Sequence, residues 1–184
     1  MEKLIVLVSV CLVTVFAQKF GFGSCPNAKP LAQLDINRYL GKWYEIYKFN
    51  SFFEINQECI TANYSIKADG HIKVFNRGTT NGKEVSAVGD AYLPNATLPA
   101  QLAVRFATGA PYGPYWVLDT DYTNYSVVFS CEALTGLAHA EFAWILSRKN
   151  TISAELKQQL FQKFTDNGVD TSALKQTVQT NCSY

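Results

Sequence analysis

The chain has 184 residues, with 16 Lys and Arg against 15 Asp and Glu, and a formal net charge of +1. This near-neutral balance argues against nucleic acid as a partner. The length suits one domain with a single large core.

The first residues predict a secretory signal peptide over residues 1–17. "MEKLIVLVSVCLVTVFA" has one Lys, then an apolar run, then small residues that end at Ala17. The run from Leu4 to Phe16 is short for a bilayer span. We therefore expect an exported, extracellular protein whose single domain covers residues 18–184.

Eight short segments with alternating apolar residues predict an all-β domain. The first begins at Trp43, after one helical turn in "LDINRYL", and the next two form a hairpin around "ADG". Five more follow: "KEVSAVGDAYL", "QLAVRFA", "YWVLDT", "YSVVFSC" and "AHAEFAWILSR". Such consecutive antiparallel strands close into an up-and-down β-barrel, which removes exposed edges. The inward faces of "YWVLDT" and "KEVSAVGDAYL" are left open.

One C-terminal α-helix follows the strands. "SAELKQQLFQKFTDNG" begins with Ser153 as the N-cap and ends at Asn167–Gly168. One face of the helix has a narrow apolar stripe, formed by Leu156, Leu160 and Phe164. We expect this stripe to pack outside the barrel, against Ala143 and Ile145 on the outer face of the last strand.

A barrel of eight strands either fills with side chains or holds one small ligand. The residues predicted to face inward are mainly apolar and aromatic: Tyr47, Tyr64, Ile72, Val74, Leu102, Phe106, Phe142 and Trp144. This wall suits a hydrophobic ligand with one polar end. The alternative is a dry core, since apolar residues are buried by default.

The loops at one end of the barrel are largely apolar. In a meander the odd-numbered connections share an end, and three of them are "NSFFEIN", "GAPYGPY" and "EALTGLAHA". This end predicts an entrance, and contact with a membrane or lipoprotein surface through Phe52 and Phe53. The alternative is that both side chains fold inward as a lid, because exposed apolar patches are uncommon on monomers.

Cysteines and sequons fit an exported protein. Removal of the signal peptide leaves an even number of cysteines, which predicts two disulfides: Cys25, Cys59, Cys131 and Cys182. Spacing alone leaves all three pairings open. Three N-x-S/T sequons are candidate glycan sites: Asn63, Asn95 and Asn124.

Three segments, "GKWYEI", "TDYTNY" and "FAWILSR", resemble in order the signature motifs of lipocalins. The likeness extends over nearly all of the mature chain. It implies that Trp43 closes the floor of the barrel, that Arg148 stacks on its indole, and that Gly41 lets the helical turn tuck beneath.

The resemblance carries further expectations. It implies two disulfide pairs, Cys25–Cys131 and Cys59–Cys182. It places Tyr64 and Trp144 in contact with the ligand, and Asn63 and Asn95 at glycan positions of the most similar lipocalins, which Asn124 does not match.

Together these observations predict a secreted carrier of a fatty acid, a sterol or steroid, or a similar lipid, with no cofactor and no catalytic step. The alternative is a carrier of biliverdin or a carotenoid; a bilin would need basic groups near the entrance, for which Lys48 and Lys83 are candidates. An enzyme is disfavoured because HExxH, GxSxG and P-loop spacings are missing from the sequence. His71 and His139 are expected as solvated groups on the outer face.

Overall fold

The computed structural model describes residues 19–135 and 137–184, apart from the side chains of Phe52 and Thr135. The predicted signal peptide lies outside the described residues. None of the helices in the described part is long and apolar enough to cross a membrane.

The described chain forms one antiparallel sheet of ten strands that closes on itself. In order, the strands are β1 (Lys19–Phe22), β2 (Gly41–Phe49), β3 (Gln57–Ile66), β4 (Ile72–Thr80), β5 (Lys83–Tyr92), β6 (Gln101–Arg105), β7 (Gly113–Thr120), β8 (Tyr125–Thr135), β9 (Ala138–Ser147) and β10 (Leu174–Gln176). Strands β2 to β9 pair in sequence, and β9 pairs again with β2. This confirms the predicted eight-stranded up-and-down barrel.

Two short strands extend the barrel at its seam. Strand β1 pairs with the first half of β9, whereas β2 pairs with the second half. Strand β10 pairs with residues 47–49 of β2, beyond the stretch that β2 shares with β3. Neither strand is predicted from the sequence, because segments of three or four residues are too short to show a clear alternation.

Two α-helices lie in the described chain, α1 (Ile36–Tyr39) and α2 (Ala154–Asp166). The N-terminus of α2 is capped by Ser153, whose side chain accepts a hydrogen bond from the amide of Leu156. Leu160 and Phe164 are fully buried in a cluster between the helix and the outside of the barrel. This outer cluster also contains the predicted partners on β9, Ala143 and Ile145.

The floor of the barrel is formed by Trp43 and Arg148. The Trp43 side chain is completely buried, and its indole N–H donates to the carbonyl of Tyr39 at 2.8 Å. The Arg148 guanidinium lies 3.6 Å from the centre of the indole ring. It also donates to a set of backbone carbonyls around α1 and the 121–124 turn: Arg38, Tyr39, Leu40, Lys42 and Tyr122.

Gly41 lies between α1 and the floor. Its φ of +90° is in the region that L side chains rarely adopt, and it turns the chain from α1 into β2. A Cβ at this position would lie 3.5 Å from the Arg148 guanidinium. That distance is an ordinary van der Waals contact, so the glycine is needed for the turn rather than for space.

We expect Arg148→Met to lower the free energy of unfolding by about 2–4 kcal/mol, because it removes the stacking and leaves several carbonyls without a donor. Urea denaturation measures the loss. The matched control is Lys149→Met at the next, exposed position, which should change stability by less than ~0.5 kcal/mol. Equal losses in the two variants would contradict a structural role for the floor.

Candidate functional site

The barrel encloses a cavity of about 210 Å³. Most of the residues predicted to face inward line it: Tyr64, Ile72, Val74, Leu102, Phe106, Phe142 and Trp144. The lining also includes apolar residues that were not predicted to face the ligand: Ile36, Leu40, Ile60, Ala62, Ala91, Val104 and Leu146. The interior is thus a mainly apolar hollow.

Tyr47 lies outside this cavity, so the prediction that it faces the lumen is wrong. Its ring packs edge-on against Phe161 of α2 at 5.2 Å, in the outer cluster. The cause is a β-bulge: Glu45 pairs with Leu146, yet Tyr47 pairs with Ile145, the very next residue of β9. One extra residue in β2 reverses the in–out alternation after Glu45.

At the closed end of the cavity, hydroxyl groups form a connected chain. The Tyr115 hydroxyl lies 2.9 Å from those of Tyr39 and Tyr64, and the Tyr39 hydroxyl lies 2.9 Å from Ser126 Oγ. Burial raises the pKa of Tyr39 to about 12 and raises the pKa of Tyr64 and Tyr115 as well. These phenols are therefore neutral hydrogen-bonding groups at the deep end of an apolar space.

At the open end, aromatic rings line the entrance. Phe53, in a 3₁₀ turn (Phe52–Glu54) between β2 and β3, stacks on Phe142 at 5.9 Å, and Phe142 stacks on Trp144 at 6.0 Å. Phe53 lines the cavity while 45% of it remains exposed. It therefore sits as a partial cover over the entrance. The Phe52 side chain lies outside what the structure describes.

One stretch of the cavity wall is charged. Lys48 is only 6% exposed, and its ammonium lies 3.2 Å from Glu45 Oε1 and 3.1 Å from Glu54 Oε2. Glu45 and Glu54 both line the cavity. Glu45 could have been found from the sequence, because it lies two residues after the inward Trp43. Lys48 could not, because the bulge alone turns it inward, opposite Trp144.

The C-terminal segment completes this charged wall. The Thr177 hydroxyl donates to Glu45 Oε1 at 2.7 Å, and the Gln179 amide donates to the carbonyls of Glu45 and Ile60. The segment is tied to β3 by a disulfide between Cys59 and Cys182, and the second disulfide joins Cys25 to Cys131. The wall between β2 and β3 is therefore partly built by residues from the end of the chain.

Glu45 is 3% exposed, and this burial raises its pKa to about 8. The negative charge of Glu54 raises the pKa further, while Lys48 and the Thr177 hydroxyl partly offset both effects. The ionised form of Glu45 is thus disfavoured in the folded protein relative to the unfolded chain.

The histidines do not take part in the cavity wall. His139 is 5% exposed, and its ring nitrogens contact the Gly23 carbonyl at 3.1 Å and Glu141 at 2.9 Å. It is covered by β1, where Gly21 leaves room for the ring, so the prediction of a solvated His139 is wrong. His71 is partly exposed and lies 2.8 Å from Asp90.

We expect the stability of the protein to fall as pH rises from about 5 to 8, and Glu45→Gln to weaken that dependence. Because the pKa of Glu45 is higher in the folded state than in the unfolded state, folding takes up a proton across this range, worth up to ~1.4 kcal/mol per pH unit. Urea denaturation at pH 5, 7 and 9 measures the slope. Glu84→Gln, at an exposed ion pair with Arg77, is the matched control; parallel curves for wild type and Glu45→Gln would contradict the assignment.

The sequence and the fold of this chain are similar to those of known proteins. A lipocalin-like domain model matches residues 34–179. Apolipoprotein D from Cavia porcellus is 42% identical over 170 residues, covering 90% of this chain and 87% of its own. The outer membrane lipoprotein Blc of Vibrio cholerae is 34% identical over 154 residues, covering 83% and 86%. The structure of insecticyanin from the tobacco hornworm Manduca sexta aligns with a TM-score of 0.79 at 27% identity, covering 91% and 93%. This chain belongs to the lipocalin family.

Proposed function

We propose that this protein carries a small hydrophobic ligand, such as a fatty acid, a sterol or steroid, or a similar lipid, by equilibrium binding and without a chemical step. The observation that carries the proposal is the hollow itself, because the inner side chains leave about 210 Å³ unfilled. Ligand pockets commonly measure ~300–1,000 Å³. A larger ligand therefore requires the entrance to open, and Phe53 is the side chain best placed to move.

The likeness to apolipoprotein D supports lipid as the ligand, since that relative is named as an apolipoprotein. A pigment is the second candidate, supported by the similarity to insecticyanin. The basic groups suggested for a bilin do not favour it: Lys48 is bound by two glutamates, and Lys83 is exposed at the start of β5. A visible absorption band in protein purified from its source would favour the pigment.

We also propose that the protein is secreted after removal of residues 1–17 and carries glycans at Asn63 and Asn95. Both side chains are exposed, and neither amide nitrogen donates to a described residue. Asn124 is less suitable, because its amide nitrogen donates to Asp121 at 2.7 Å and to Thr123 at 3.3 Å. Contact of Phe52 and Phe53 with a membrane or lipoprotein surface stays a prediction.

We expect Trp144→Ala to weaken ligand binding at least about tenfold, because the indole lies in the cavity wall and loses contact with the ligand. The measurement is titration with the neutral fluorescent probe N-phenyl-1-naphthylamine, followed by its displacement with a steroid. Trp116→Ala is the matched control, because Trp116 lies in β7 and packs in the outer cluster, outside the cavity. It should cost stability while leaving affinity within about twofold. Unchanged affinity in Trp144→Ala would refute this site.

A further inference from the structure

The charged side chains that line the cavity itself are all acidic, because Lys48 contacts Glu45 and Glu54 but is not a lining residue. Among the described lining residues, the ionisable side chains apart from tyrosines are Glu45, Glu54 and Glu132, and no Lys, Arg or His joins them. Glu132 lies near the open end of β8, and desolvation raises its pKa. We call these three residues the acidic wall.

Among the residues that the structure describes, the cation beside the acidic wall is Lys48, and it is already paired with two of the glutamates. Lys48 contacts Glu45 and Glu54 at the same time, through one oxygen of each. Those same oxygens also accept hydrogen bonds from Thr177 and Ser51, respectively. The other oxygens, Oε2 of Glu45 and Oε1 of Glu54, accept no hydrogen bond from any residue that the structure describes. The acidic wall therefore has two carboxylate oxygens that can accept a hydrogen bond from a ligand. It has no unpaired cation that could bind an anionic ligand.

We propose that the acidic wall selects ligands by their polar end: the lumen takes lipids that end in a hydrogen-bond donor, a hydroxyl or an amine, and discriminates against lipids that end in a carboxylate. This proposal rests on the carrier function proposed above and narrows its ligand class to sterols, steroids and similar lipids with a donor end, which removes ionised fatty acids from the candidates. A hydroxyl or ammonium group donates to the free glutamate oxygens. A carboxylate gains no cation there and, above the pKa of about 8 of Glu45, meets like charges instead.

Other positions in the cavity do not offer a ligand carboxylate a favourable charge partner. Lys48 can reach one only by leaving a buried glutamate without its partner, which is strongly unfavourable. The hydroxyls of Tyr39, Tyr64 and Tyr115 at the closed end donate hydrogen bonds but carry no positive charge. A carboxylate left at the entrance lies close to Glu54 and Glu132, which line the open end.

The test compares three ligands with the same chain and different polar ends: decan-1-ol, decylamine and decanoate. Each displaces N-phenyl-1-naphthylamine from the mature, disulfide-bonded protein at pH 9, above the pKa of about 8 of Glu45, so that the Glu45 carboxylate is ionised while decylamine remains an ammonium ion. The proposal predicts that the alcohol and the amine bind at least about tenfold more tightly than the acid.

The double variant Glu45→Gln/Glu54→Gln keeps the shape of both side chains and leaves Lys48 as an unpaired cation. It should bind decanoate at least about tenfold more tightly than wild type and decylamine more weakly. Glu54→Gln alone, in a loop turn, should shift the preference in the same direction and serves if the double variant does not fold. Glu84→Gln makes the same type of charge change on the outer surface and should leave the ranking unchanged.

Two results would overturn the proposal while leaving the carrier function intact: decanoate binding as tightly as decan-1-ol to wild type, or the same ranking in wild type and the Gln variants. In both cases the neutral probe still binds. If the neutral probe itself fails to bind folded wild-type protein, the carrier function falls, and the proposal falls with it.

Discussion

Strand β2 has to pair with β3 on one side and β9 on the other while curving around a hollow, and the bulge at Ile46 makes this possible. Before the bulge, Trp43 and Glu45 face inward. After it, Tyr47 faces the outer cluster and Lys48 lies opposite the inward-facing Trp144. Bulges bend a strand and increase its twist, which suits the seam of a closing barrel. A single extra residue thus sets both the packing of the helix outside and the charge of the wall inside.

The same bend leaves a space between β2 and β3 near the open end, and the end of the chain fills it. Strand β10 pairs with β2, the amide of Cys59 donates to the carbonyl of Val178, and the Cys59–Cys182 disulfide fixes the segment. Thr177 thereby reaches Glu45. The acidic wall depends on contacts between residues more than 100 positions apart, so the covalent link that restrains this segment also stabilises the site.

The sequence predicted the features that follow from local periodicity. Alternation in β3 and β4 predicted that Tyr64, Ile72 and Val74 face inward, and all three line the cavity. The capping signal of Ser153 located α2. The prediction from sequence failed where a long-range contact reverses or hides the in–out alternation along a strand. Tyr47 was misplaced because pairing with β9 imposes the bulge. His139 was expected in solvent because β1, which covers it, is too short to be recognised and is separated from it by more than 100 residues.

The buried Glu45–Lys48–Glu54 group is hard to explain by stability alone. Replacing buried ion pairs with apolar residues of similar volume is often neutral or stabilising, because desolvation of the charges offsets their attraction. The raised pKa of Glu45 shows that this cost is present here. Elsewhere the barrel is held by apolar packing and by the Trp43–Arg148 floor. A charged group that lowers the stability of the fold and also lines its cavity is best explained by its effect on which ligand binds there.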